Sequence, residues 1–249
     1  MKKSASSSNA ERALDIMLAL GEVGHEGLSL SEIAARVGSA KSAAHRALVA
    51  MVARGFAEQA DRYGHYRLGV AVSMLARRQE RLEPQVQRFR PGMTEFARRT
   101  GFTVYLLVQS GVDAICAEMI SRSTRRQFIM GVGARVPMGV GAGSLALMSL
   151  LTDNAVDQIL EANADRYLKH PSVHPVDRGV IMGQVVEARH RGYALNPGLY
   201  HFGQGGVGLP RAAAALYDVA MAVSFNAPLD MMTDDWTDAQ VRDLLDCLG

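Results

Sequence analysis

Leu28-Ser29-Leu30-Ser31-Glu32-Ile33-Ala34-Ala35-Arg36-Val37-Gly38-Ser39-Ala40-Lys41-Ser42-Ala43-Ala44-His45-Arg46 is the stretch on which the reading of this chain turns. Ser29 and Glu32 stand at capping-box spacing, so each satisfies a free amide at a helix start. The helix they open is short: Ile33, Ala34 and Val37 face inward, and Gly38 takes the left-handed conformation that ends it. Ser39 is then expected to cap a third helix, Ala40 to Arg54, closed by Gly55. Two helices joined by a tight glycine-containing turn predict a helix-turn-helix.

The second of these helices divides cleanly. Ala44, Ala47, Leu48 and Met51 form its apolar stripe. Lys41, Ser42, His45 and Arg46 lie on the other side near its start, where a recognition helix carries the groups that touch bases and phosphates. Arg46 suits the two acceptors of a guanine edge, and Lys41 and Ser42 suit phosphates. Alone, such a face equally describes a solvated helix. Its neighbours on the chain argue otherwise.

Before it, Asn9 is placed to cap a first helix that sends Ala13, Leu14, Met17, Leu18 and Leu20 towards a core. After it, Phe56 to Ala60 and Tyr66-Arg67-Leu68 read as two short strands, joined by a polar turn with Arg62 at its tip. Three helices and a basic hairpin, in that order, predict a winged helix-turn-helix and double-stranded DNA as its partner.

Bulk composition is compatible and adds exclusions. The 249 residues are 48% hydrophobic and 21% charged, as in a chain with a proper core. Residues 1–81 carry 12 Lys/Arg against 8 Asp/Glu, a net of +4, whereas the rest carries 15 against 17, a net of −2. No apolar run is long enough to span a bilayer, and the polar residues after Met1-Lys2-Lys3 do not make a signal peptide. The expected location is therefore cytoplasmic, without a membrane partner. Cys116 and Cys247 are far apart and outside any metal or redox spacing, so two reduced thiols are expected.

Beyond the hairpin, Val70 to about Leu82 reads as a helix ended or kinked by Pro84, and a second helical run covers about Gln85 to Arg99. Residues 103–108 and 114–119 are strands around the turn Ser110-Gly111-Val112-Asp113. Gly131 to Ser144 is a glycine-rich passage into an apolar helix, Leu145 to Leu151. It is not a nucleotide loop, because Leu145 stands where the lysine should follow. A helix covers Val180 to Arg191; strands cover about Gly203 to Pro210 and Val219 to Phe225. A last helix, about Thr237 to Leu248, buries Val241, Leu244, Leu245 and Leu248. Strands interleaved with helices and paired as hairpins predict an α+β domain around a mostly antiparallel sheet. His170 and His174 cannot share a helix face because Pro171 and Pro175 interrupt it, so no metal site is expected.

Four fragments in register, Ala10-Glu11-Arg12-Ala13-Leu14-Asp15, Leu28 to Ala34, Lys41-Ser42 with His45-Arg46, and Tyr66-Arg67-Leu68-Gly69, resemble the IclR-type bacterial transcription regulators. The resemblance spans residues 10–248 and implies three parts. These are a winged helix-turn-helix domain in residues 1–69, a linker helix in 70–83, and an effector-binding and oligomerisation domain in 84–249. The candidate DNA contacts are Ser29, Ser39, Lys41, Ser42, His45, Arg46, Arg62 and Arg67. By resemblance, Ala142, Gly143, Asn196, Gln204, Gly206, Ser224 and Asn226 face a small-molecule effector, a small carboxylate or aromatic acid. Asn196 stands where the family often has an acid, Gly206 where it can have cysteine, and Gly139 where it often has histidine. Ser144-Leu145 replaces a frequent Gly-Lys. These differences predict a larger, less charged cavity, partly refilled by Tyr200, His201 and Phe202. No cofactor and no catalytic residue are expected, and the implied assembly is a homodimer or a dimer of dimers on a palindromic operator.

Overall fold

The computed structural model describes residues 8–77, 82–121, 130–170, 174–201, 203–213 and 219–249, the side chains of Ser8, Tyr200 and His201 aside. The chain divides between Glu80 and Arg81 into two compact units.

The first unit runs α1 (Ser8–Gly21), β1 (Leu28–Ser29), α2 (Leu30–Arg36), α3 (Lys41–Val52), β2 (Ala57–Gln59), β3 (His65–Leu68) and α4 (Val70–Ala76). The capping box is formed: the Ser29 hydroxyl accepts from the Glu32 amide, and the Ser29 amide donates to Glu32 Oε2 at 2.8 Å. Ile33, Ala34, Ala44, Leu48 and Met51 are buried together with Ile16, Ala19 and Leu20.

The start of the chain departs from expectation in three ways. Asn9 lies within α1 (Ser8–Gly21) rather than capping it, and its Oδ1 accepts from Arg12. The face of α1 is rotated: Leu14 and Leu18 are 58% and 42% exposed, and Ile16 takes the core position. Ser39 does not cap α3. Ala40 holds that position, and the Ser39 hydroxyl instead accepts from Arg12 Nε at 2.8 Å.

The hairpin β2–β3 pairs antiparallel, and β1, which is too short to show any alternation, adds to it as a third strand. α4 packs back on this unit, with the Ala71 amide donating to the Gly55 carbonyl. It ends at Ala76 rather than near residue 82; residues 78–81 of the expected linker helix lie outside the described residues. Pro84 does not end it but sits in the first turn of the next helix, where its missing amide is harmless.

The second unit continues with α5 (Glu83–Thr100), β4 (Val104–Ser110), β5 (Asp113–Ile120), β6 (Arg135–Pro137), α6 (Ala142–Ser149), α7 (Asp153–Tyr167) and α8 (Arg178–Arg191). It closes with β7 (Ala194–His201), β8 (Gln204–Arg211), β9 (Met221–Pro228), a short 3-10 turn and α9 (Asp234–Leu248). One antiparallel sheet of order β6-β5-β4-β9-β8-β7 organises it. The α+β expectation is met.

The sheet is covered on both faces. Val104, Leu106, Val108, Val223 and Phe225 point to α5 and α9, where Phe225 lies 5.0 Å from Phe96 between ring centres. Tyr105, Leu107, Cys116 and Ala222 point to α6, α7 and α8. α7 carries Val156, Ile159 and Leu160 at helical spacing, a pattern the sequence reading passed over between better-marked segments. Leu245, expected in the α9 stripe, is 38% exposed, because Thr237, Val241 and Leu244 define the inward face.

Candidate nucleic-acid interface and ligand cavity

In the first unit, Lys41, Ser42, His45 and Arg46 are all exposed on α3, opposite buried Ala44, Leu48 and Met51. Because α3 has no side-chain cap, its first-turn amides keep their capacity to bind an anion beside Lys41 and Ser42.

Three other candidates are otherwise engaged. The Ser29 hydroxyl is held by Glu32, which these bonds draw below the usual carboxylate range. Ser39 is held by Arg12. Arg67 Nε lies 2.8 Å from Glu58, its cross-strand neighbour, and its guanidinium also meets Asp61 at 3.5 Å. Arg62 stands exposed at the hairpin tip beside Tyr63, an aromatic that sequence reasoning did not single out and that is 100% exposed.

In the second unit, Ala142, Gly143, Asn196, Ser224 and Asn226 line one cavity with Tyr105, Leu107, Met130, Val136, Val140 and Gly141. α6 is aimed at it by two close approaches. A Cβ on Gly143 would stand 2.1 Å from Leu107 Cδ1, and one on Gly208 would stand 2.3 Å from the Ala142 carbonyl oxygen. Only glycine lets the helix start sit this tightly on β4 and β8. Ser144 fixes the preceding turn: its buried hydroxyl accepts from the Gly139 amide and donates to the Val140 carbonyl at 2.7 Å. α6 has no side-chain cap, so its opening amides lack a side-chain partner, and Gly141, Ala142 and Gly143 line the cavity with Ser224, which is 6% exposed and has no hydrogen-bond partner for its hydroxyl among the described residues.

Asn196 is buried, and its Oδ1 accepts from the Leu199 amide at 3.0 Å. Gly206 lies against the site, its Cα direction facing Asn226 Oδ1 and Ala142 Cβ. Gln204 does not join the lining; it pairs with His201 and Pro228 at the start of β8. The side chains of Tyr200, His201 and Phe202, expected to refill the cavity, lie outside the described residues.

The space is tight rather than spacious, about 60 Å³ among the described residues. Leu107, Met130, Val136 and Val140 occupy the room that the small residues of the loop leave. Burial pushes the Tyr105 phenol up to about 12, so it stays a neutral hydrogen-bonding group, engaged with the Met130 backbone. Tyr105 and Leu107 escaped the sequence reading because β4 is apolar on both faces, and without alternation no period tells one face from the other. Among the described residues no cluster of three His, Cys, Asp or Glu side chains is placed to hold a metal, and no helix is long and apolar enough to cross a membrane.

A winged helix-turn-helix unit followed by an α+β unit with its own cavity is the architecture of a class of two-part DNA-binding transcription regulators. Residues 9–61 match the IclR helix-turn-helix domain, and residues 84–248 match the bacterial transcriptional regulator IclR C-terminal domain. The chain belongs to the IclR family of DNA-binding transcription regulators. It is 27% identical over 191 residues to the HTH-type transcriptional regulator XynR of Escherichia coli, covering 76% of this chain and 73% of that protein. It is 24% identical over 215 residues to the transcriptional repressor IclR of Escherichia coli, covering 84% and 76%. An IclR homologue from Microbacterium hydrocarbonoxydans, solved in complex with 4-hydroxybenzoate, shares the fold with a TM-score of 0.71 and 21% identity, over 96% of this chain and 97% of that one.

Proposed function

We propose that this protein is a transcription regulator whose affinity for a palindromic operator is set by a small-molecule effector, a small carboxylate or an aromatic acid. The observation that carries the reading is the cavity at the start of α6. It offers uncapped helix amides, the Ser224 hydroxyl and the Asn226 amide on one side, and an apolar wall on the other. Backbone dipoles at a helix start hold a carboxylate without a cationic side chain. The bound 4-hydroxybenzoate of the Microbacterium homologue supports an aromatic acid as the kind of molecule this fold accommodates. Seating a ring in the tight cavity calls for Met130, with its three flexible torsions, to swing aside.

On the DNA side, Lys41, Ser42, His45 and Arg46 enter the major groove, with Arg62 on the flanking backbone. A homodimer, or a dimer of dimers, matches two half-sites related by a two-fold axis. Effector binding favours one arrangement of the assembly and changes operator affinity by about 1–3 kcal/mol.

The test is calorimetry with a panel of small aliphatic and aromatic acids, followed by gel-shift titration of a duplex selected from a random pool. The expected result is saturable binding of one acid, a higher melting temperature and a changed operator affinity. If no acid alters stability or affinity, the second unit serves oligomerisation alone. Turnover of an acid in place of reversible binding would make it an enzyme domain.

A further inference from the structure

We propose that Tyr63, at the tip of the wing, enters the DNA minor groove and gives the protein a preference for A·T pairs flanking the segment read by α3. The proposal rests on α3 being the recognition helix. The tip is held in place from below. The Ala60 amide donates to the His65 carbonyl at 2.9 Å, and the His65 amide donates to the Arg62 carbonyl at 3.0 Å, which closes the turn. β1 flanks β3 at its turn end, and His65 Nδ1 lies 3.4 Å from the Gly27 carbonyl oxygen. Asp61 meets Arg67 at 3.5 Å, while Arg62 and Tyr63 beside it are exposed.

A fully exposed phenol carries two apolar ring faces and a polar tip, a combination suited to a surface with one apolar and one polar component. The minor groove is such a surface, walled by deoxyribose and floored by base acceptors. Arg62, the preceding residue of the turn and also exposed, supplies a cation for the phosphates along the groove edge. The chemistry of the floor sets the preference. A·T pairs present only the adenine N3 and thymine O2 acceptors, which receive the Tyr63 hydroxyl, whereas the exocyclic N2 amino group of guanine fills the same space and adds a donor.

The test uses duplexes of about 40 base pairs selected from a random pool by the wild-type protein, long enough for two half-sites. Replacing flanking A·T pairs by G·C is expected to weaken wild-type binding about tenfold. Inosine·cytosine pairs at the same positions, which lack only the minor-groove amino group, are expected to restore it. Tyr63→Ala is expected to bind all three duplexes alike while keeping its half-site preference and its circular dichroism spectrum, and Tyr63→Phe should retain part of the discrimination. If Tyr63→Ala still distinguishes the flanks, or if inosine fails to restore binding, the proposal is overturned. The role of α3 is judged separately, by the half-site preference.

Discussion

Arg12 of α1 donates from Nε to the hydroxyl of Ser39 across 2.8 Å, joining the first helix to the turn that delivers α3. Arg12 also donates to Asn9, so the guanidinium is oriented from both sides. The link spans 27 residues of chain and ties the turn before α3 to α1. Arg12→Gln and Ser39→Ala are each expected to lower stability. A double-mutant cycle in urea is expected to show a coupling of about 1 kcal/mol, as for a partly buried hydrogen bond. Additive single effects would show that the contact contributes nothing.

Arg46 and Arg62, both exposed in the first unit, should behave differently on DNA. Arg46→Ala is expected to cost about 1–3 kcal/mol and to relax base preference at one position of each half-site. Arg62→Ala is expected to weaken binding to every sequence and to reduce the slope of log affinity against log salt by about one. Gel-shift titrations at several salt concentrations separate these outcomes.

Gly143 is a tightly packed point of the cavity wall. Gly143→Ala would bring a methyl group against Leu107 and the Ser224 hydroxyl. The expected cost is about 1–3 kcal/mol, or roughly 2–4 °C in melting temperature per kcal/mol for a chain of this size, read by thermal unfolding. Effector binding should fail in the same variant, since the added methyl group pushes the Leu107 side chain or the Ser224 hydroxyl into the cavity.

Glu95 bridges Arg98 and Arg99 on α5, and Arg99 continues to Asp243 on α9. Hydrogen bonds from Arg98 and then Arg99 hold the Glu95 carboxyl at about 2, below its ordinary 4.5. A carboxylate with a lowered folded pKa contributes stability that is fully present above its unfolded value and is lost as pH falls through its folded one. The advantage of wild type over Glu95→Gln is therefore expected at neutral pH. It should shrink from about pH 4.5 downward and be gone near pH 2, as followed by urea midpoints. Because the cluster is exposed, added salt should narrow the difference at every pH.

The first unit was largely legible because its signals are local. A capping box needs only Ser29 and Glu32 three positions apart, and the stripe Ala44, Leu48, Met51 needs only a helical period. What failed there was tertiary. Ser39 has every attribute of a cap, but it was recruited by Arg12, and no spacing rule sees a partner on another helix. Leu14 and Leu18 share a face with one another yet not with Ile16, and only the position of the neighbouring helices decides which face is inward. In the cavity, Ala142, Gly143, Asn196, Ser224 and Asn226 lie together and Gln204 does not join them, whereas Tyr105 and Leu107 sit in a strand whose uniform hydrophobicity hides its facing.

That strand, β4, has a mechanical consequence. Val104, Leu106 and Val108 belong to the core under α5 and α9, while Tyr105 and Leu107 belong to the core under α6 to α8. The two hydrophobic clusters therefore share one backbone, and neither can loosen without withdrawing every second residue of that backbone from the other. Such a domain lacks separable halves. It should melt as one cooperative body, and strain introduced on the cavity side should be felt by the helices on the far side of the sheet.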